Sequence, residues 1–120
     1  MGSLVRRMAA AGFAMALSGC SVGYIGQTYS LLPPQRIVLS CRGTYEVFDR
    51  VDANLALVTV SPIVEAGAAI CSSGDAALPR PARMRRIVEL FFERTERVGC
   101  TVRGVRELSP VHFEVSYRCA

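Results

Sequence analysis

The chain has no tryptophan, no lysine and a single histidine, His112, among its 120 residues. One imidazole cannot supply the paired nitrogen ligands of a histidine metal site, and it leaves room for only one neutral-pH base. G-x-S-x-G, phosphate-cradling glycine loops and C-x-x-C pairs are missing too. Their absence removes the usual signatures of α/β-hydrolase, nucleotide-binding and thioredoxin-like chemistry. There is no internal repeat and no low-complexity tract. What is present is apolar: hydrophobic residues make up 51% and charged residues 20%. This composition excludes a disordered polyelectrolyte and fits one small domain with a core or an inserted segment.

The N-terminus carries Arg6 and Arg7 without an acid, followed by the uncharged run MAAAGFAMAL over residues 8–17. As a helix, about ten residues rising 1.5 Å each cover roughly half of a ~30 Å hydrocarbon core. The run is too short to span a bilayer and has the layout of a signal peptide. Leu17-Ser18-Gly19-Cys20 follows at once. This order of basic start, apolar run, Leu and Gly-Cys resembles the lipobox of bacterial lipoproteins. The resemblance covers only the first twenty-one residues or so. It implies cleavage between Gly19 and Cys20, a diacylglycerol thioether on the Cys20 thiol and acylation of its freed amine. Covalent lipid on Cys20 is then the sole prosthetic group expected. At about 0.8 kcal/mol per buried CH₂, two or three acyl chains give a lasting anchor where one would not. Ser21 in place of an acidic residue implies, by the same resemblance, an outer-membrane address facing the periplasm or the cell surface.

Removing residues 1–19 deletes Arg6 and Arg7 and brings the formal charge from +4 to about +2. Residues 20–35 are rich in Gly, Ser and Pro without periodicity and read as a lipidated flexible tether, reaching on the order of 20 Å as a coil. The folded domain is expected over residues 36–120. From Ile37 to Phe48 the pattern alternates, with Ile37, Leu39, Cys41, Tyr45 and Val47 on one face and Ser40, Arg42, Thr44 and Glu46 on the other. Gly43 interrupts the apolar row, as a bulge or a close contact would. Residues 49–54 supply a turn. Leu55 to Val60 is apolar on both faces, which marks a central strand covered on both sides.

Ser61-Pro62 reads as a helix cap and first turn, with a short helix running to about Cys71. Ser72 to Pro79 is a loop by composition. Pro81 opens the main helix, where Met84, Ile87, Val88, Phe91 and Val98 keep the spacing of a buried stripe and Gly99 stops it. The last twenty residues form a hairpin around Ser109-Pro110, with a loop of about four residues. Pairing residues whose numbers sum to about 219 sets Cys100 opposite Cys119, Val102 opposite Tyr117, Gly104 opposite Val115 and Glu107 opposite His112. The apolar members share one face. Thr101, Arg103, Glu107, His112, Glu114, Ser116 and Arg118 share the other. The expected fold is therefore α+β: a four-stranded antiparallel sheet with one main helix packed on it, in the order β-β-(α)-α-β-β.

With Cys20 committed to lipid, Cys41, Cys71, Cys100 and Cys119 remain, an even set in an exported chain. The hairpin register selects Cys100 with Cys119 and leaves Cys41 with Cys71. Their intervals do not match the close pairs of zinc sites, so no metal is expected.

Arg80, Arg83, Arg85 and Arg86 form the one basic cluster. It sits at a helix N-terminus, where the macrodipole disfavours cations. Two readings apply: contact with an anionic surface or acidic partner, or a solvated arginine-rich face. Nucleic acid is not expected, because the chain is exported and no aromatic row accompanies the arginines. His112 lies on the polar face, away from the cysteines, and no catalytic residue or small-molecule substrate is assigned. The leading expectation is a non-enzymatic, lipid-anchored envelope protein that binds or supports other envelope components. An accessory lipoprotein of a secretion or conjugation complex is one version of it. The alternative class is a periplasmic enzyme or inhibitor with an unrecognised pocket.

Overall fold

The computed structural model describes residues 23–66, 71 and 73–120. The signal segment, Gly19 and Cys20 lie outside the described residues. The chain divides into two units, one ending at Leu31 and the other comprising Leu32–Ala120. In the first, residues 23–29 are helical, where the composition predicted a featureless tether. Tyr24, Ile25, Thr28 and Tyr29 are its less exposed positions, a helical face that Gly23 and Gly26 obscure in the sequence. The rings of Tyr24 and Tyr29 meet edge to face at 6.3 Å.

The second unit is α+β. Its elements are β1 (Pro34–Leu39), β2 (Gly43–Arg50), β3 (Leu55–Val60), α1 (Pro62–Ala66), α2 (Arg80–Arg94), β4 (Cys100–Ser109) and β5 (His112–Cys119). The strands make one antiparallel sheet in the order β1-β2-β3-β5-β4. β3 lies in the middle, as its two-sided apolar pattern requires, and Ala56, Leu57 and Val58 are all buried. α2 lays Met84, Ile87, Val88 and Phe91 against Ile37, Tyr45, Val47, Val58, Phe113 and Val115 on one face of the sheet. Fully burying side chains of this size stabilises the fold by about 1.5–3 kcal/mol each.

The sheet has five strands and not the expected four because residues 37–48 fold back on themselves. Leu39 pairs with Gly43 across a turn of Ser40, Cys41 and Arg42, closed by the Arg42 N–H donating to the Leu39 carbonyl at 3.2 Å. A turn with an odd number of residues preserves parity, so the apolar alternation runs through it unbroken and looks like one strand. Gly43 takes φ +136°, and Val64 of α1 packs 3.1 Å from where its Cβ would stand. The close contact expected there is real, and Arg42 leaves the polar face for a buried position.

α1 starts as expected, with the Val64 N–H donating to Ser61 Oγ at 3.2 Å. Its described part ends at Ala66, and the expected continuation falls on residues outside the description. A 3-10 turn, Asp75–Ala77, occupies the following loop. α2 stops at Arg94 rather than at Gly99. Glu96 takes the left-handed conformation (φ 55°), and the N–H groups of Glu96 and Arg97 donate to the carbonyls of Glu93 and Phe92. This is a Schellman cap with Glu in the place usually held by Gly. Val98 lies beyond it and is 91% exposed, outside the stripe assigned to it.

The β4–β5 hairpin begins in the expected register, Cys100 with Cys119 and Val102 with Tyr117, and then departs from it. One bulge between Val102 and Gly104 puts Gly104 opposite Ser116 and Val105 opposite Val115; a second between Glu107 and Ser109 puts Ser109 opposite His112. Each bulge absorbs a residue and moves the following side chain to the other face. Glu107 thus pairs with Phe113, and Glu114, expected in solvent, is buried beside Arg106 with Nη2 to Oε1 at 2.6 Å. The connecting loop is Pro110-Val111, shorter than expected.

Candidate functional site

The topology sorts the chemistry of the Leu32–Ala120 unit to the two ends of the sheet. At one end β1 begins and β5 finishes, and the β2–β3 and α2–β4 connections sit beside them; this is the entry end. At the other end lie the β1–β2 turn, α1, the start of α2 and the β4–β5 turn; this is the far end.

Both expected disulfides are present, one at each end: Cys100–Cys119 at the entry end and Cys41–Cys71 at the far end. Cys41–Cys71 ties the β1–β2 turn to the crossover between β3 and α2, with Cα atoms 5.9 Å apart.

Arg42, next to Cys41 in that turn, fastens the same crossover twice more. Its Nε donates to the Ala76 carbonyl at 2.7 Å and its Nη1 to the Glu65 carbonyl at 3.1 Å. The Glu65 carboxylate is shared: it pairs with Arg83, approaches Arg42 Nη1 at 3.5 Å and lies 3.9 Å from Arg80 Nε. Arg83 also donates from Nη1 to the Leu78 carbonyl at 2.8 Å. The side chains of Arg42, Arg83 and Glu65 are 2%, 4% and 8% exposed, so two buried guanidiniums divide one buried carboxylate. Burial lowers the pKa of Arg83, and the Arg42 charge lowers it further. Among the described residues, no hydrogen-bond partner meets buried Tyr45 Oη, Glu65 Oε2 or Arg83 Nε.

The predicted basic cluster is therefore not one free surface. Arg83 is interior. Arg80 pairs with Glu107 at 3.1 Å and stands over the Phe113 ring, 5.9 Å from its centre. Arg86 pairs with Asp75 at 3.1 Å and Glu93 at 3.5 Å, and these partners, the Asp75 hydrogen bond foremost, raise its pKa. Arg85 alone of the four is exposed without an ion pair among the described residues. No spacing rule would have found Glu65 as the partner of Arg42, since 23 positions separate them. The one local signal was the adjacency of Arg42 to a cysteine.

At the entry end Arg97 pairs with Asp49 and donates to Tyr117 Oη at 3.1 Å. Its guanidinium lies 5.5–5.8 Å from the ring centres of Phe91, Phe92 and Tyr117. The Tyr117 hydroxyl donates to Asp49 Oδ1 at 2.7 Å. Burial, then that hydrogen bond and the Asp49 charge, push the Tyr117 pKa up to about 12. This grouping, drawn from β2, the α2–β4 connection and β5, was not legible in the sequence.

His112 is not beside Glu107. It faces Ser109 across the hairpin turn, with Nδ1 2.7 Å from Ser109 Oγ, while the Val111 N–H donates to the same oxygen at 3.2 Å. The contact organises a two-residue turn. Among the described residues no group of three or more His, Cys, Asp or Glu could hold a metal, and no helix is long and apolar enough to cross a membrane. One open depression of about 410 Å³ lies on the sheet face away from α2, between Arg36, Glu46 and Thr59. No family model matches this chain, nor does any curated protein or solved structure.

Proposed function

We propose that the chain is a lipid-anchored protein of the bacterial cell envelope, held through acylated Cys20, whose disulfide-bonded domain binds or supports other envelope components without catalysis. The observation that carries this reading is the cysteine pairing. Of five cysteines, four are matched in two disulfides, and the one left over is the residue that closes a lipobox-like segment. Two disulfides in a small domain belong to an oxidising compartment, which is where a signal-bearing chain goes. The non-catalytic part is supported by how the charged groups are spent. The buried arginines and carboxylates bind one another, and the one histidine is engaged in its own turn.

The test is metabolic labelling with radioactive palmitate of the wild type and Cys20→Ala, followed by membrane fractionation. The wild type is expected to carry label and sediment with outer membranes, and the variant to lose both. Label retained by Cys20→Ala, or an intact N-terminal Met1 on the purified protein, would overturn the reading.

A further inference from the structure

The two ends of the sheet differ in where chain enters and in which apolar side chains stand free. β1 begins at Pro34, paired with Phe48 close to the β2–β3 connection, so the tether joins the domain at that end. Two valines project from the loops there. Val51 is 62% exposed in the β2–β3 turn, and Val98 is 91% exposed between α2 and β4. Arg97, next to Val98, is fastened to Asp49 near the end of β2. Arg103 and Arg118, on the neighbouring ends of β4 and β5, are exposed and in no ion pair among the described residues.

We infer that this entry end is the membrane-facing surface of the domain. Val51 and Val98 enter the boundary between headgroups and acyl chains, and Arg103 and Arg118 meet anionic phospholipid headgroups. The inference rests on the proposed acylation of Cys20. About fourteen positions separate Cys20 from Pro34, and residues 23–29 of them are helical. The far end carries an exposed isoleucine and an arginine unpaired among the described residues, Ile63 at 85% exposure and Arg85. What distinguishes the entry end is that β1 begins there beside two exposed valines and two such arginines. The far end then stands about 27 Å further out, the length of an eight-residue strand.

Absence of native tryptophan supplies a clean probe. Full-length lipidated protein carrying Val98→Trp, or Ile63→Trp at the far end, is reconstituted into vesicles of phosphatidylethanolamine and phosphatidylglycerol. Half of the phospholipid bears brominated acyl chains, which quench indole fluorescence on contact. Both substitutions fall on exposed positions. The Val98→Trp emission is expected to be about halved relative to unbrominated vesicles, as for a side chain at interfacial depth, with Ile63→Trp unchanged. Equal quenching of both variants, or of neither, in protein that floats with the vesicles would overturn the orientation and leave the anchor standing. Protein that fails to float would overturn the anchor itself, and the orientation with it.

Discussion

Both ends of the sheet combine a disulfide with arginine held by a carboxylate, but the electrostatic outcome is opposite. At the entry end Arg97 shares Asp49 with the neutral Tyr117 hydroxyl and with no second guanidinium among the described residues. It has three aromatic rings around it and solvent on one side, and its pKa is raised, the Asp49 hydrogen bond foremost. At the far end Arg83 shares Glu65 with Arg42 in the interior, and burial lowers its pKa. The lesson concerns what needs holding. The hairpin at the entry end has its own ladder of backbone pairing in addition to its disulfide. The described residues of the crossover between β3 and α2 form only α1 and one 3-10 turn, and Arg42, Glu65 and Cys41–Cys71 attach them to the sheet side chain by side chain.

That difference is broken most severely by Glu65→Ala. Removing the shared carboxylate leaves two buried guanidiniums without a counter-charge, and the expected loss is about 3–5 kcal/mol. Asp49→Ala at the other end is expected to cost about 2 kcal/mol, because Arg97 keeps its rings and its access to water. Urea midpoints of the oxidised proteins decide the matter. Equal losses would mean that the far-end arginines are as well solvated as Arg97.

Removing each disulfide sharpens the comparison further. Loop separations of 30 and 19 residues give nearly the same chain-entropy contribution, about 3–4 kcal/mol each. Cys41→Ser with Cys71→Ser and Cys100→Ser with Cys119→Ser should therefore shift the urea midpoint alike. Their local consequences should not be alike. Limited proteolysis is expected to cut the first variant within the 61–79 crossover under native conditions, while the β4–β5 hairpin of the second stays protected by its ladder. Cleavage at the same sites in both would remove the distinction between a fastened loop and a self-supporting hairpin.

How much of this was legible follows from how local each signal is. β3, the Ser61 cap, the stripe of α2 and both disulfides were readable, because each depends on periodicity, a single cap or one register. The β1–β2 turn was not, since an odd-numbered turn leaves the alternation intact. The first bulge had a signal that went unused: Val102 and Val105 can both face the core only if one residue between them is extra. The end of α2 was misplaced because Glu96, not a glycine, takes the left-handed position. Of the candidate site, the pairing of Cys41 with Cys71 and of Cys100 with Cys119 was legible, while Cys20 lies outside the described residues. The fate of Arg80, Arg83 and Arg86 was not, because their partners Glu107, Glu65 and Asp75 come from other elements.

The smallest expected effect is also the most specific to the entry end. Tyr117→Phe deletes the hydroxyl that donates to Asp49 and accepts from Arg97, at a cost of about 1.5–3 kcal/mol for a hydrogen bond to a charged group. Arg97 still pairs with Asp49 in this variant, so the loss should fall toward the lower bound. The variant also changes a pH dependence whose sign is determined. Tyr117 ionises near its ordinary value of 10.0 when unfolded but at about 12 in the folded chain. Between those values the unfolded state releases its proton first, so this residue makes stability fall as pH rises from about 10 toward 12 and contributes no slope below that window. Subtracting the Tyr117→Phe profile from the wild-type profile cancels the other titrating groups. A difference that narrows as pH climbs above 10 confirms a protonated hydroxyl bound to Asp49. A difference that stays constant through pH 11 would mean that Tyr117 ionises alike in both states, and that Asp49 is held by Arg97 alone.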